Sequence, residues 1–238
     1  MALVASLWLL GDHSGYDRLI TFWGVRPFLF PFVDVSGSLA AWECARKGMD
    51  VIVENPCDVL NRGYAYSPLW MDLAWIPLGQ LQRVEAGLAL GVAFLISLSA
   101  LPSPLSRAET GLRSLASIST MAVYAIERAN PDLLIFMLVV VALFLLRRSL
   151  SARVLVYGIV FLAGAIKYYP FILLALVAKE RLRFAISIVL ASIVAFVLFW
   201  HVYATKILER LPYIAHGLPF DNMFAATNLT VASRIPFT

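Results

Sequence analysis

Two short polar segments interrupt the most apolar half of this 238-residue chain. The first, residues 127–132, reads Glu-Arg-Ala-Asn-Pro-Asp, and the second, residues 167–170, reads Lys-Tyr-Tyr-Pro. Hydrophobic sequence flanks both segments, and an ionisable group at mid-depth in a membrane costs roughly 2.5–3.5 kcal/mol on insertion scales. Such charges need compensation, and an active site at a bent helix end is one arrangement that supplies it.

The composition predicts an all-α integral membrane protein. Hydrophobic residues make up 61% of the chain and charged residues only 14%, whereas a soluble globular domain carries about 25% charged residues. The net charge of +4 does not indicate a nucleic-acid partner, because the basic residues group at the ends of apolar runs. We therefore expect a single membrane domain over residues 1–238.

The apolar runs differ in length, and only two are long enough to cross a membrane alone. These are residues 84–101 and 184–203, against a requirement of about 20 residues. Shorter runs cover residues 115–126, 133–146, 154–166 and 168–178. A helix of that length spans only if the bilayer thins or the helix pairs with another. The sequence thus predicts a bundle over 81–203 that contains half-spanning helices.

Charge arranges the short runs as two hairpins. Basic residues cluster at 103–113, 147–153 and 179–183, and basic clusters favour the cytoplasmic side. A single helix over 154–178 would place one cluster on the wrong side, whereas turns at 127–132 and 167–170 place all three on the same side. Pro170 also favours a break. Both polar segments then lie on the extracytoplasmic face.

The same topology puts a long loop, residues 11–80, and a tail, residues 204–238, on the extracytoplasmic face. Residues 1–10 are too short to span and predict a partial first transmembrane helix. Within the loop, Asp34 precedes a helix over 35–47 that ends at Gly48. An aspartate before and a glycine after are typical helix boundaries. The apolar face of this helix is interrupted by polar residues, which favours a position at the membrane interface.

Cys44 and Cys57 both fall in this loop. A disulfide fits if the loop faces an oxidising compartment, and two unpaired thiols fit equally well. The histidines are scattered, so we expect no metal.

Several loop segments carry a family resemblance. They are Phe32-Val33-Asp34, Trp42 to Gly48, Asn55 to Arg62 and Tyr66 to Trp70, together with both polar segments. These resemble the extracytoplasmic loops of GT-C-fold glycosyltransferases, in the branch of polyprenol-phosphate-mannose-dependent α-mannosyltransferases. The resemblance covers roughly residues 16–185. Members of this family are longer, so the resemblance implies the front part of such an enzyme or a truncated relative.

The resemblance implies transfer of a sugar, mannose in this branch, from a polyprenyl-phosphate donor to a lipid or glycan acceptor. It implies an inverting reaction with Asp34 as the general base. We expect no cofactor. A base must lie within hydrogen-bond reach of the attacking hydroxyl. A cation must neutralise the departing phosphate, and Arg128 and Lys167 lie on the predicted face for that.

The predicted site combines Asp34 as catalytic residue with seven substrate-binding residues. These are Glu127, Arg128, Asn130, Asp132, Lys167, Tyr168 and Tyr66.

Each predicted site residue also has a structural interpretation. Asp34 is a candidate helix N-cap, and Asn130 and Asp132 flank a proline as capping residues do. Glu127 and Arg128 would form a mutual ion pair. Lys167 would extend to the interface from a helix end. The tyrosines suit an interfacial aromatic belt.

The main alternative function is a non-catalytic membrane protein: a flippase for lipid-linked sugars, a transporter or an inactive remnant. A structural subunit without a ligand is a third. Transporters commonly contain inverted repeats, and the sequence shows none. For all these functions we expect a multi-pass protein of the cell membrane, specifically a bacterial inner membrane.

Overall fold

The structure is a computed structural model that describes residues 10–25, 27–52, 54–64, 66–146 and 148–213. These residues form helices and turns without a strand. The α-helices are α1 His13–Phe22, α2 Val33–Arg46, α3 Arg83–Ser99, α4 Arg107–Ser117, α5 Thr120–Arg128, α6 Asp132–Leu146, α7 Leu150–Ile166 and α8 Leu182–Arg210. Segments of 3-10 helix cover Pro68–Leu73, Gln80–Gln82, Tyr169–Lys179 and Leu211–Tyr213. Residues 1–9, in the predicted partial first helix, and 214–238, in the predicted tail, lie outside the described residues.

Among the described residues, two helices are long and apolar enough to cross a membrane, which confirms the two long predicted runs. They are Gln80–Ser99, which includes α3, and α8. A third span results if α5 and α6, bent by 109° at the break between them, count as one. The chain therefore turns at residues 129–131 as predicted, but it does not fully reverse there. Helix α8 continues beyond the predicted span to Arg210.

The predicted helix over 115–126 is wrong, because the chain breaks between α4 and α5. Ser119 caps α5, since its hydroxyl accepts a hydrogen bond from the N–H of Ala122 at 3.3 Å. The indole of Trp23 donates to the carbonyl of Ile118 at 2.9 Å. These two contacts provide hydrogen-bond partners for the N–H of Ala122 and the carbonyl of Ile118 at the break. Helix α4 is therefore a separate helix, and it has no buried residue.

The chain returns from α7 as a 3-10 helix rather than an α-helix. Ala163 and Ile166 of α7 pack against Ile135 of α6, and Leu173 and Leu174 of the 3-10 segment pack lower on the same pair of helices. A 3-10 helix rises about 2.0 Å per residue, so the 11 residues of Tyr169–Lys179 reach roughly 22 Å. This extension lets a short segment run beside most of α7.

Helix α2 begins two residues earlier than predicted. Phe32 adopts the left-handed conformation with φ 63°, and its N–H donates to the carbonyl of Glu127 in α5 at 2.7 Å. Its own carbonyl accepts the first helical bond, from Ser36 at 3.0 Å. Asp34 thus lies inside the first turn of α2 and is not the N-cap.

The ring of Phe32 packs directly on Gly87 of α3 and leaves no room for a larger side chain there. A Cβ added at Gly87 would approach the Phe32 ring more closely than real Cβ atoms do. We expect Gly87→Ala to lower the free energy of unfolding by about 1–3 kcal/mol, as overpacking does. Gly158→Ala on α7, where a Cβ meets nothing within 4 Å, is the matched control. Thermal unfolding in detergent measures both variants, and equal stability of the two would contradict the packing.

Cys44 and Cys57 form a disulfide, which decides between the two alternatives that the sequence left open. The bond joins the middle of the long loop to α2, next to the buried residues Val51 and Tyr64. Disulfides persist in oxidising compartments. The bond therefore supports an extracytoplasmic position for residues 11–80.

Removing this disulfide should destabilise the loop. The cross-link joins residues separated by 13 positions, and the chain-entropy estimate for such a loop is about 3 kcal/mol. We expect the Cys44→Ala, Cys57→Ala double variant to lose about 3 kcal/mol of unfolding free energy, measured as a lower denaturant midpoint in chemical unfolding. Maleimide labelling of both thiols in the unreduced wild type would contradict the bond.

Candidate functional site

The first polar segment forms the sharp bend between α5 and α6. Ala129 takes the left-handed conformation with φ 49° and ends α5. The side-chain oxygen of Asn130 accepts a hydrogen bond from the N–H of Asp132 at 3.0 Å. This is a capping contact for α6, and Asp132 occupies the first helical turn. The structural role that the sequence suggested for Asn130 and Asp132 is therefore present.

Asn130 also binds Asp34, which the structure brings to the same bend. Its amide Nδ2 donates to Asp34 Oδ2 at 2.7 Å, while its oxygen stays on the cap. Arg128 Nη1 lies 3.9 Å from Asp34 Oδ1. One carboxylate thus faces an amide donor and a guanidinium ion from a segment about a hundred residues away in sequence.

The Asp34 side chain is only 12% exposed, and this burial raises its pKa above the ordinary aspartate value. The charge of Arg128 and the hydrogen bond from Asn130 oppose the rise. A carboxylate with a raised pKa binds protons more readily than one in water. Asp34 thus has the environment of a proton acceptor.

The second polar segment reaches the same cluster through Lys167. Its Nζ donates to Asp132 Oδ1 at 2.8 Å and to Asn130 Oδ1 at 3.4 Å. The hydroxyl of Tyr169 also donates to Asp132, at 2.9 Å. A continuous set of polar contacts therefore runs from Asp34 through Asn130 to Lys167. The structure places both polar segments beside Asp34, on one end of the helices.

Glu127 and Arg128 do not form the mutual ion pair that the sequence suggested. The Glu127 side chain is fully buried and accepts a hydrogen bond from the hydroxyl of Tyr16. Arg128 lies between the rings of Phe28, at 4.4 Å, and Tyr124, at 4.3 Å. Glu127 anchors α1 to α5 and has no exposed surface for a substrate, which argues against its predicted binding role.

The two predicted tyrosines lie on the same side as Lys167. Tyr66 is partly buried and interacts electrostatically with Asp34, Asp132 and Arg128. Tyr168 is 48% exposed and lies near Arg210 at the end of α8. Tyr66 therefore lines the interior of the cluster, and Tyr168 its open side.

Sequence reasoning missed the contribution of Arg62. Its Nε binds Asp58 Oδ2 at 2.7 Å, its Nη2 binds Asp58 Oδ1 at 3.1 Å, and the same Nη2 donates to the carbonyl of Val33 at 2.9 Å. These bonds hold the loop after the disulfide against the first turn of α2. The four-residue spacing of Asp58 and Arg62 was the available signal.

An apolar cavity of about 450 Å³ lies between α7, the Tyr169–Lys179 segment and α8. Its walls include Phe161, Phe171 and Phe196, and Phe171 follows Lys167 by four residues. Within the described residues, no three side chains of His, Cys, Asp or Glu come together as a metal site requires.

Comparison of the chain with known protein families, with curated proteins and with solved structures found no match. The description of the cluster at Asp34 therefore rests on its own geometry. The Asp34 carboxylate contacts the Asn130 amide and faces Arg128, next to the ion pair of Lys167 with Asp132. The described part of the bundle has two or three candidate spans.

Proposed function

We propose that this chain is a membrane glycosyltransferase of the GT-C type. It would move mannose from a polyprenyl-phosphate donor to a lipid or glycan acceptor on the extracytoplasmic face of a bacterial inner membrane. The observation that carries the proposal is the buried Asp34 carboxylate, held by Asn130 at 2.7 Å and faced by Arg128 where two charged helix breaks meet.

In the proposed reaction, an acceptor hydroxyl attacks the anomeric carbon of the sugar. The new carbon–oxygen bond forms as the bond from that carbon to the phosphate oxygen breaks, so the configuration inverts. The bonding electrons leave with the polyprenyl phosphate. Asp34 takes the proton of the hydroxyl, and its raised pKa suits that task.

Two cations would bind the phosphate. Arg128 has a buried Nε without a hydrogen-bond partner, so its guanidinium group retains a free N–H donor. Lys167 already binds Asp132, and Tyr169 donates to the same carboxylate oxygen. Asp132 would keep the tyrosine contact while Lys167 turns toward the phosphate. The positive charges of Arg128 and Lys167 would then stabilise the leaving group in a site with little water.

The apolar cavity beside α8 would hold part of the polyprenyl chain. Its aromatic and aliphatic walls offer no polar partner apart from Ser192. A hydrocarbon chain fits such a surface, because most of what it contacts would also be apolar. Since Phe171 lies in the wall and close in sequence to Lys167, a lipid phosphate at Lys167 would direct its chain toward this cavity.

A reconstituted transfer assay tests the proposal. Purified protein in liposomes receives a polyprenyl-phosphate donor with labelled mannose, plus a lipid extract as acceptor. We expect a labelled product with inverted anomeric configuration, and no product from a nucleotide-activated mannose. Movement of intact donor between leaflets without bond cleavage would instead support a flippase and contradict the transferase.

A further inference from the structure

Arg210, the last residue of α8, is buried without a full set of partners. It is 7% exposed, and its Nε and Nη2 have no hydrogen-bond acceptor. In the part of the chain that the structure describes, no carboxylate forms an ion pair with it. A buried, unpaired guanidinium is unfavourable unless a negative group joins it.

Each of the other cations near the site has a carboxylate partner. Lys167 binds Asp132 at 2.8 Å, Arg62 binds Asp58 at 2.7 Å, and Arg128 faces Asp34 at 3.9 Å. Position at a helix C-terminus favours a cation through the helix dipole. That effect, however, supplies no acceptor for the side-chain N–H groups.

Tyrosines surround the guanidinium ion. Its Cζ lies 5.2 Å from the ring centroid of Tyr64, and it interacts electrostatically with Tyr64, Tyr66 and Tyr168. Phenol hydroxyls donate hydrogen bonds to anions. Tyr66 is also an electrostatic neighbour of Asp34, so Arg210 and the carboxylate lie near the same tyrosine.

We propose that Arg210, with the hydroxyls of Tyr66 and Tyr168, binds a lipid-linked phosphate. This inference rests on the proposed function, in which that group is the donor phosphate, and it adds Arg210 to Arg128 and Lys167 as a third cation for that phosphate. The donor is a diester with one negative charge. When its bond to the sugar breaks, the departing polyprenyl phosphate carries more charge, and Arg210 binds it more strongly than it bound the donor.

Binding of a polyprenyl monophosphate, the product of the proposed reaction, tests this assignment. Wild type and Arg210→Gln are compared in nanodiscs of zwitterionic lipid, with Arg181→Gln, at the exposed opposite end of α8, as the matched control. Loss of a charge-assisted contact predicts roughly ten- to hundredfold weaker binding for Arg210→Gln and no change for Arg181→Gln. Polyprenol without phosphate should bind weakly to all three.

Competition by inorganic phosphate shows whether the site binds a lipid phosphate or free phosphate. If the site takes a lipid phosphate, inorganic phosphate should compete only at much higher concentration than the polyprenyl phosphate. Competition at equal concentration would assign the site to free phosphate and overturn the lipid part of the proposal.

Thermal unfolding separates binding from a structural role. Without ligand, Arg210→Gln should unfold at or above the wild-type temperature, because an uncompensated buried charge is removed. Polyprenyl phosphate should raise the unfolding temperature of wild type but not of this variant. Unchanged binding in Arg210→Gln overturns the inference whether or not sugar transfer occurs. Arg210-dependent binding without any transfer by wild type overturns the proposed function alone.

Discussion

Replacing Asp34 by Asn is expected to lower the turnover of sugar transfer by about 10²–10⁴-fold, the usual contribution of a general base. Asparagine has nearly the same shape, and its side-chain oxygen still accepts the hydrogen bond that Asn130 donates to Asp34 at 2.7 Å. The variant should therefore fold and bind the donor. It lacks only a group that can take the proton of the acceptor hydroxyl.

The measurement is kcat and KM for transfer in liposomes, with Asp50→Asn as the matched control. Asp50 is an exposed aspartate of the same loop, and it only caps a local turn at Ile52. We expect wild-type turnover for Asp50→Asn. Wild-type turnover for Asp34→Asn would remove the proposed base.

Asn130→Asp is expected to slow transfer at neutral pH by about tenfold or more, while the fold is retained. Aspartate caps helices as well as asparagine does, so the contact with the N–H of Asp132 survives. The substitution removes the donor to Asp34 and places a second carboxylate beside it. Two neighbouring carboxylates raise each other's tendency to hold a proton, so the pKa of Asp34 rises beyond its already raised value.

The sign of the pH dependence follows from this shift. Asp34 acts as a base only when ionised, so activity falls as pH drops through its pKa. In Asn130→Asp that fall occurs at higher pH than in wild type, and activity recovers as pH increases. Asn130→Ser, which keeps a cap without adding a charge, should show a smaller shift. Superimposable pH–rate profiles for Asn130→Asp and wild type would show that Asp34 is not the general base.

Run length and charge predicted where the chain bends. Both polar segments interrupt the helices as predicted, although the first bends the chain by 109° and does not reverse it. Lys167 reaches Asp132 and Asn130 between the two breaks. Both signals are local. They predict which side of the membrane a segment occupies without any knowledge of its tertiary partners.

Features that depend on distant contacts were not predictable. Helix α2 begins at Val33 because Phe32 binds the carbonyl of Glu127, and no local pattern reveals that bond. The buried contact between Tyr16 and Glu127 joins residues 111 positions apart. No local pattern in the sequence therefore separates Glu127 from its neighbour Arg128 as a candidate substrate-binding residue, although only Arg128 faces Asp34.

Two further differences have a geometric origin. The apolar run after Lys167 has no pattern that separates an α-helix from a 3-10 helix, and the distance to be covered beside α7 decides the form. Arg210 ends a long apolar helix, where an arginine ordinarily extends to the interface. Its burial among tyrosines arises only because the fold brings Tyr64, Tyr66 and Tyr168 to the end of α8.

Photocrosslinking of a donor analogue tests the central claim most directly. A polyprenyl-phosphate sugar with a photoreactive group on the sugar is bound to the wild-type protein, irradiated and mapped by mass spectrometry. We expect adducts in peptides that contain Asp34 and residues 128–132, with competition by unmodified donor. Competed adducts found only near the cytoplasmic end of α8, around residues 181–187, would contradict a sugar site at Asp34.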